Sequence, residues 1–404
     1  MEKEDILFAR QPIYDAQKEI VAYELLFRGT SNNHATISCD DSATSSVLLS
    51  LFTDSDLEFV TGGIPAFVNF SSELLMGSPI FEPETVVIEI LEHVEITPTF
   101  IDRIKELKKL GYTIALDDVI DPKAYASVLP YIDIVKVEIL ELSESQLQHI
   151  VDYLAPYNAK LLAEKVETSA EFRACLALGF DLFQGYFLAT PEIIRGRKLN
   201  ANQISVVKLV SELQDPLTDT QRISEIILQD PVISLKLLKL INSAAYRRIR
   251  EIDSINTAVA LLGLPRVSGW ASLLAMGKIA DKPESLRYIA VLRAVACEQL
   301  GKYVECSAQD QSELYTAGLL SSLDAFIDQP LDEVISNISL KESIRSAILS
   351  HKGLIGLILE STVLFERGLM SNIDWVALEK IGLTARNFNK IYYESSTLAL
   401  AKID

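Results

Sequence analysis

The sequence has few cysteines and histidines, which build disulfide frameworks and metal sites, and no long apolar run of the kind that spans a membrane. Its 404 residues include four cysteines and four histidines, with no C-x-x-C spacing and no His-Asp pair. Free, buried thiols in a reducing cytosol fit this pattern. Met1 is followed by EKED and not by a signal peptide, and no apolar run approaches the roughly 20 residues that cross a bilayer. We therefore expect a cytoplasmic protein that makes no membrane contact.

Positive charge is also scarce. The chain carries 37 lysines and arginines against 56 aspartates and glutamates, which gives a net charge of −19. A field of this sign repels polyphosphates, so direct nucleic-acid binding is disfavoured as its function. A small phosphate ligand is still allowed, because a bound metal ion would invert the potential around it.

The length of the chain and a change in its pattern predict two domains. A chain of 404 residues exceeds what one hydrophobic core usually organises. Short apolar runs alternate with helical stretches up to about residue 190, and apolar residues at helical spacing follow to the end. We predict a TIM-like (β/α)8 barrel over 1–197 and an all-α bundle over 198–404.

The first two apolar segments break the alternation of the barrel. ILFARQPIYD and EIVAYELLFRG flank a short polar turn around Gln17, which is typical of a β-hairpin. The first strand is therefore predicted to run antiparallel to the second. Later strands, separated by helices, are predicted to be parallel through right-handed crossovers.

Seven of the apolar runs are followed at once by an acid, an amide or a lysine. These residues are Glu24, Asn69, Glu89, the pair Asp117 and Asp118, Lys136, Glu164 and Gln184. Each alone also fits a solvent-exposed strand end, a helix cap or a local ion pair. Together they predict one site, because the carboxyl ends of parallel barrel strands converge on one face. Carboxylate and amide oxygens are what hard divalent cations prefer.

The order and spacing of these residues resemble the EAL domain, the family of bacterial cyclic di-GMP phosphodiesterases. ELLFR at 24–28 is similar to the E-x-L-x-R motif, with Leu25 where the family has its eponymous alanine. The other matching segments are QPI at 11–13, VNFS at 68–71, IEILE at 88–92, LDD at 116–118, DIVKVE at 133–138, AEKVET at 163–168 and FQGY at 183–186. The resemblance covers about residues 5–195.

The resemblance implies a two-metal site that holds Mg²⁺ or Mn²⁺ and opens cyclic di-GMP to linear pGpG. The metal ligands it implies are Glu24, Asn69, Glu89, Asp117 and Asp118. Lys136 and Glu164 are implied to position and deprotonate the attacking water. The ligand-binding residues it implies are Gln11, Leu26, Arg28, Glu167 and Gln184.

Three departures from the family pattern weaken the expectation of full activity. Val119 and Ile120 replace the Phe-Gly of the family's D-D-F-G motif, and Pro122 sits in the same loop. Leu91 replaces a threonine, and Lys165 replaces a glycine and points either toward the metals or into solvent. In the family this loop couples dimerisation to metal occupancy, so whether the chain forms a homodimer stays open. Loss of supporting residues commonly costs about 10- to 100-fold in metal affinity or activity.

Residues 228–246 and 255–267 resemble the HDOD domain, which is related to HD-type phosphohydrolases but lacks their metal ligands. Only His351 lies in this half of the chain, so we expect a module that binds signalling proteins and not a second enzyme. The favoured hypothesis is a divergent EAL domain that binds cyclic di-GMP or acts as a scaffold with weak or no turnover. The alternative is an active Mg²⁺- or Mn²⁺-dependent phosphodiesterase.

Overall fold

The computed structural model describes residues 6–29, 61–77, 82–140, 142–189, 201–229, 233–234, 237–238, 254–276, 282–336 and 338–403. These residues form two compact units. The first comprises Met1–Phe187 together with Glu366–Ser371, and the second comprises Leu188–Phe365 and Asn372–Asp404. The predicted boundary at 197/198 lies outside the described residues.

The first unit is built on a closed barrel of eight strands that follow one another in chain order. The strands are β1 Ile6–Asp15, β2 Ile20–Gly29, β3 Ala66–Phe70, β4 Val86–Ile90, β5 Thr113–Leu116, β6 Ile134–Glu138, β7 Lys160–Glu164 and β8 Leu182–Gln184. β1 pairs antiparallel with both β2 and β8, and the other neighbours are parallel. The predicted barrel with an antiparallel first strand is confirmed.

The inside of the barrel is filled by one apolar residue from each strand. These residues are Ile13, Ala22, Phe67, Val87, Ala115, Ile134, Leu162 and Leu182, and all are buried. Ala22 and Ala115 are small beside Phe67, and this mixture of sizes lets one layer fill the space without voids. The layer closes the barrel below its carboxyl-end face.

Four helices accompany the parallel strands within the described residues: α1 Ser72–Met76, α2 Pro98–Lys109, α3 Glu144–Leu154 and α4 Ser169–Leu178. The N-termini of α2, α3 and α4 are capped by side chains. Thr97 accepts a hydrogen bond from the backbone of Phe100 at the start of α2. Ser143 and Thr168 form capping boxes at α3 and α4. Gly111, in the left-handed region at φ +94°, follows the end of α2.

The second unit is helical wherever it is described, as predicted. Its helices are α5 Ala201–Gln214, α6 Thr220–Leu228, α7 Ile255–Leu262, α8 Leu264–Met276, α9 Glu284–Tyr303, α10 Ala308–Leu320, α11 Leu323–Ile327, α12 Leu331–Ser336, α13 Glu342–Ser350, α14 Gly353–Glu366, α15 Trp375–Lys380 and α16 Ala385–Ile403. Trp270 is fully buried in α8, and α9 buries most of its length.

One stretch of the second unit, Glu342–Glu366, is long and apolar enough to cross a membrane by length and composition alone. It consists of α13 and α14, which are separated at His351, a residue in the left-handed region at φ 51°. A core helix of a globular domain passes the same test, and 44% of the window is buried inside the unit. The absence of membrane contact stays a prediction.

Candidate functional site

The polar residues at the strand ends form the layer directly above the apolar layer of the barrel. Each strand from β2 to β8 places its polar residue two positions after its residue in the apolar layer. Side chains alternate along a strand, so a step of two keeps the side chain on the same face. In β1, which runs antiparallel, the step is reversed and leads from Ile13 back to Gln11. The polar layer is Gln11, Glu24, Asn69, Glu89, Asp117, Lys136, Glu164 and Gln184.

The ammonium group of Lys136 stands at the centre of this layer. Its Nζ donates to Glu89 Oε1 and lies 2.9 Å from Asp117 Oδ1, 2.9 Å from Glu164 Oε1 and 3.5 Å from Glu24 Oε1. Lys136 and Glu89 are fully buried. One cation therefore faces four carboxylates in a site that water barely reaches.

Burial and mutual repulsion change the acidity of these groups. Burial, followed by the nearby Glu24, Asp117 and Glu164, raises the pKa of Glu89 well above its usual value despite the attraction of Lys136. Burial also raises the pKa of Glu164 to about 8, with Lys136 opposing the shift and Asp117 and Glu24 adding to it. Burial works to lower the pKa of Lys136, but the four carboxylates outweigh it and raise that pKa well above normal. The site has an excess of negative charge that a further cation would balance.

Several buried oxygens in the site lack a hydrogen-bond partner among the described residues. They include Asn69 Oδ1, Glu89 Oε2 and Glu164 Oε2. Buried polar atoms are nearly always paired in native proteins, so unpaired oxygens point to a group that binds there. Carboxylate and amide oxygens are the donor set that Mg²⁺ and Mn²⁺ take. The residues present therefore fit a divalent cation.

Gln184 and Gln11 extend the polar layer toward the hairpin. Gln184 Nε2 donates to Glu24 Oε2 and to Gln11 Oε1, the latter at 2.9 Å. The side chain of Gln184 is buried and that of Gln11 is half-buried. The amide of Gln184 thus holds the carboxylate of Glu24 in place and connects it to the first strand.

Three carboxylates lie together beside the central layer, at the ends of β4 and β5. Oxygens of Glu92, Asp117 and Asp118 lie within 4.8 Å of one another, and Glu92 and Asp118 are exposed. Partial burial and then the charge of Asp117 raise the pKa of Asp118. Glu92 is the last residue of the IEILE segment that contains Glu89, and it was not among the predicted site residues.

Comparison with known proteins agrees with the two units. The sequence profile of the EAL domain matches residues 61–191, and that of the HDOD domain matches residues 202–338. The uncharacterized protein YuxH of Bacillus subtilis is 33% identical over 388 residues, which are 93% of this chain and 93% of YuxH. This chain belongs to the EAL–HDOD family.

A second relative, matched over most of its length, carries a functional name. It is the cyclic di-GMP phosphodiesterase CdgJ of Vibrio cholerae, 30% identical over 378 residues, which are 92% of this chain and 86% of CdgJ. The EAL profile begins after β2, so its match does not include the hairpin that carries Gln11 and Glu24.

Similar solved structures include two EAL proteins with cyclic di-GMP. The Bacillus subtilis YkuI protein, in complex with cyclic di-GMP and calcium, is 18% identical with a TM-score of 0.37, covering 64% of this chain and 73% of YkuI. A standalone EAL protein from Vibrio cholerae O395, with cyclic di-GMP bound, is 23% identical with a TM-score of 0.35, covering 46% of this chain and 92% of that protein.

The loop after Asp118 takes a path set by its own residues. Asp118 adopts φ +44°, Val119 is buried, and Ile120 has 71% of its surface exposed. Asp121 caps a short 3₁₀ helix over Pro122–Tyr125, in which the fixed φ of proline suits the first position. Pro122 thus starts a helical turn in the loop where the resemblance implies a Phe-Gly pair.

The same loop brings Tyr125 near the acidic group of Glu92, Asp117 and Asp118. Partial burial raises the pKa of Tyr125, and the charges of these three carboxylates raise it further. The hydroxyl therefore stays protonated and can donate a hydrogen bond on this side of the site.

The side chain of Lys165 pairs with a carboxylate at the neighbouring strand end. Its Nζ donates to Glu138, the register partner of Glu164 on β6. Lys165 adopts φ +55°, the left-handed region that favours glycine. The backbone thus keeps a glycine-like conformation, while the side chain bridges the ends of β6 and β7.

The remaining sequence-predicted ligand residues lie at the rim. Leu26 is half-buried on β2, and Glu167 is exposed just before α4, where its backbone N–H donates to Glu171. The backbone of Arg28 pairs with Leu7 in the hairpin, but its side chain lies outside the described residues. The structure therefore brings together predicted metal-binding and catalytic groups around Lys136.

Proposed function

We propose that the EAL domain is a divalent-metal-dependent phosphodiesterase that opens cyclic di-GMP to linear pGpG. The observation that carries this proposal is the polar layer around Lys136, in which four carboxylates converge and buried oxygens stay unpaired. A purely structural ion-pair cluster would have its oxygens satisfied. The name of the relative CdgJ supports cyclic di-GMP as the substrate.

Mg²⁺ or Mn²⁺ would be held by Glu24, Asn69, Glu89 and Asp117, with Asp118 beside them. When bound, such a cation lowers the pKa of water and neutralises charge on phosphate oxygens. The side chains supply oxygen donors only, which matches the preference of both ions. The unpaired oxygen of Asn69 and the second oxygen of Glu89 are free to serve as ligands.

Glu164 is assigned the role of general base. Its carboxylate lies in the polar layer beside the proposed metal ligands, and its Oε2 has no hydrogen-bond partner among the described residues, so it can accept a proton from an incoming water. The carboxylate takes a proton from the attacking water, the water oxygen bonds to phosphorus, and the bond to the ribose 3′ oxygen breaks. The departing 3′ oxygen takes up a proton, and the product is linear. Lys136, 2.9 Å from Glu164, orients this carboxylate.

A second candidate is an EAL domain that binds cyclic di-GMP but turns it over slowly or not at all. The loop at 119–125 favours it, because Pro122 and the exposed Ile120 replace the residues that the resemblance implies there. The bridge from Lys165 to Glu138 adds a positive charge beside the acidic groups. Both features alter groups that support the site and leave its central layer intact.

For the HDOD domain we propose a role in binding signalling proteins. The residues that would hold a catalytic metal in related HD-type enzymes are missing from the sequence, whose only histidine in this half, His351, is exposed at the end of α13. The net charge of −19 disfavours nucleic acid as the partner.

The deciding experiment incubates the full chain with cyclic di-GMP and either Mg²⁺ or Mn²⁺ and measures linear pGpG. We expect metal-dependent product that Glu164→Gln abolishes, because the amide cannot accept the proton. Glu106→Gln, at an exposed position of α2, is the matched control and should retain activity. Binding without turnover would favour the second candidate, and absence of both would reject both.

A further inference from the structure

A short segment from late in the chain belongs to the barrel unit. Glu366–Ser371 is part of the same compact unit as residues 1–187. The carbonyl oxygen of Arg367 accepts a hydrogen bond from Gln11 Nε2 at 3.1 Å, across 356 residues of sequence. The guanidinium carbon of Arg367 lies 5.0 Å from the ring centroid of Tyr186, just after β8. The segment is therefore held by both β1 and the end of β8.

The segment uses the groups that a ligand would need. Gln11 Oε1 is taken by Gln184 and its Nε2 by the carbonyl of Arg367, so both ends of the amide are engaged. A side chain at Gly368 would come within 3.5 Å of Leu26 Cδ1. Gln11 and Leu26 are two of the three ligand-binding residues that the resemblance places on the hairpin. The backbone at 367–368 thus lies against both of them.

The close approach depends on Gly368. This residue adopts φ +72°, a backbone conformation that residues with a side chain rarely adopt. A Cβ at this position would lie 2.7 Å from Gln11 Nε2. Any larger residue would both strain the turn and push against Gln11. The contact is therefore built for glycine, and one substitution can release it.

We propose that the segment 366–371 covers the part of the EAL domain that carries Gln11 and Leu26 and competes with cyclic di-GMP for these two residues. This inference rests on the proposed function. A ligand that contacts Leu26 and Gln11 must first displace the Arg367–Gly368 backbone and the stacking of Arg367 on Tyr186. The measured affinity for cyclic di-GMP is then the intrinsic affinity multiplied by the fraction of molecules in which the segment is displaced.

The first test compares cyclic di-GMP binding by the full chain, measured by calorimetry, for wild type, Gly368→Val and Gly382→Val. Gly382 has φ +85°, and a Cβ there would have nothing within 4 Å, so it reproduces the backbone strain without the contact. If the segment is closed in about nine of ten molecules, Gly368→Val binds about tenfold tighter than wild type, and Gly382→Val binds like wild type. Arg367→Ala removes only the stacking on Tyr186 and should give a smaller gain, roughly two- to threefold.

The second test measures hydrogen exchange of backbone amides at 366–371 in the wild-type chain, with and without saturating cyclic di-GMP. We expect faster exchange with ligand, because the segment has left the barrel face. Slower or unchanged exchange, or weaker binding by both Gly368→Val and Arg367→Ala, would overturn the competition while leaving the proposed function intact. Absence of binding in wild type and in both variants would overturn the two together.

Discussion

Nζ of Lys136 lies 2.9 Å from Oε1 of Glu164, and the two residues are neighbours on β6 and β7. The same ammonium contacts Glu24, Glu89 and Asp117. One lysine thus compensates a carboxylate cluster that would otherwise repel itself, and it holds the general base proposed for the reaction. The charge balance of the site and its chemistry depend on the same side chain.

Replacing Lys136 with methionine should destabilise the metal-free chain by about 3–5 kcal/mol, because removing one partner of a buried ion pair leaves uncompensated charge. Mn²⁺ should restore more of the thermal stability of this variant than of wild type, since the cation replaces the lost charge. Calorimetric melting in EDTA and in Mn²⁺ measures both effects.

Lys160→Met, at an exposed position at the start of β7, is the control for that experiment. It should melt like wild type in both buffers. If Lys136→Met and Lys160→Met melt alike in EDTA, Lys136 does not hold the cluster together.

Gly185→Ala should unfold the barrel unit or destabilise it by about 3 kcal/mol or more. Gly185 adopts φ +147°, and a Cβ there would lie 2.1 Å from the backbone oxygen of Val166, which cannot move aside as a side chain can. Gly179→Ala provides the comparison, because Gly179 has φ +99° with nothing within 4 Å, and it should cost only about 1 kcal/mol. Urea unfolding followed by far-ultraviolet circular dichroism reports the difference; equal losses would show that the close contact with Val166 is unimportant.

Lys165→Gln should tighten Mn²⁺ binding by roughly 3- to 10-fold, because it removes a positive charge that interacts with Asp118 and Glu164. Repulsion between this charge and the cation is expected to cost about 1 kcal/mol. The charge of Lys165 acts on Asp118, as the lowering influence on that carboxyl's pKa shows. Lys165→Gly removes the same charge and also relieves the positive φ, so the two variants should bind Mn²⁺ alike and differ only in stability. Titration of Mn²⁺ by electron paramagnetic resonance measures the affinity, and an unchanged value in both variants would place the ammonium too far away to matter.

Asp324→Asn should stabilise the helical unit at pH 7.5 by about 3 kcal/mol, because each of the roughly two units by which the pKa of Asp324 is raised is worth about 1.4 kcal/mol once the carboxyl is ionised. Burial raises the pKa of Asp324 from 3.8 to about 6, with Arg293 and Lys282 partly opposing it. The folded state thus binds the proton more tightly than the unfolded state, so stability contributed by the neutral carboxyl is full below about pH 4 and lost as pH rises through 6. Asparagine mimics the neutral form and can still accept the hydrogen bond from the backbone of Ala325.

Tryptophan fluorescence suits this measurement because both tryptophans, Trp270 and Trp375, lie in the helical unit. Urea midpoints of wild type and Asp324→Asn should converge at pH 4 and separate by pH 7. A difference that is constant across this range would mean that Asp324 does not titrate between these values.

The sequence determined the barrel and the positions of its site residues. Apolar runs ending in polar residues predicted the strands, and a step of two along each strand explains why Glu24, Asn69, Glu89 and Lys136 share one face above the apolar layer. This information is local, because side-chain alternation depends only on the backbone of each strand. The hairpin pattern similarly predicted the antiparallel β1.

The tertiary structure alone decided which groups touch. Lys136 was predicted in the site, but its position between four carboxylates follows from the closed order of the strands. The direction of Lys165 toward Glu138 and the place of Glu92 beside Asp117 and Asp118 likewise depend on loops whose path no local pattern fixes. The contact of Gln11 with Arg367 joins residues 356 positions apart. Such contacts arise from packing between distant segments, so a pattern that repeats every two or four residues carries no information about them.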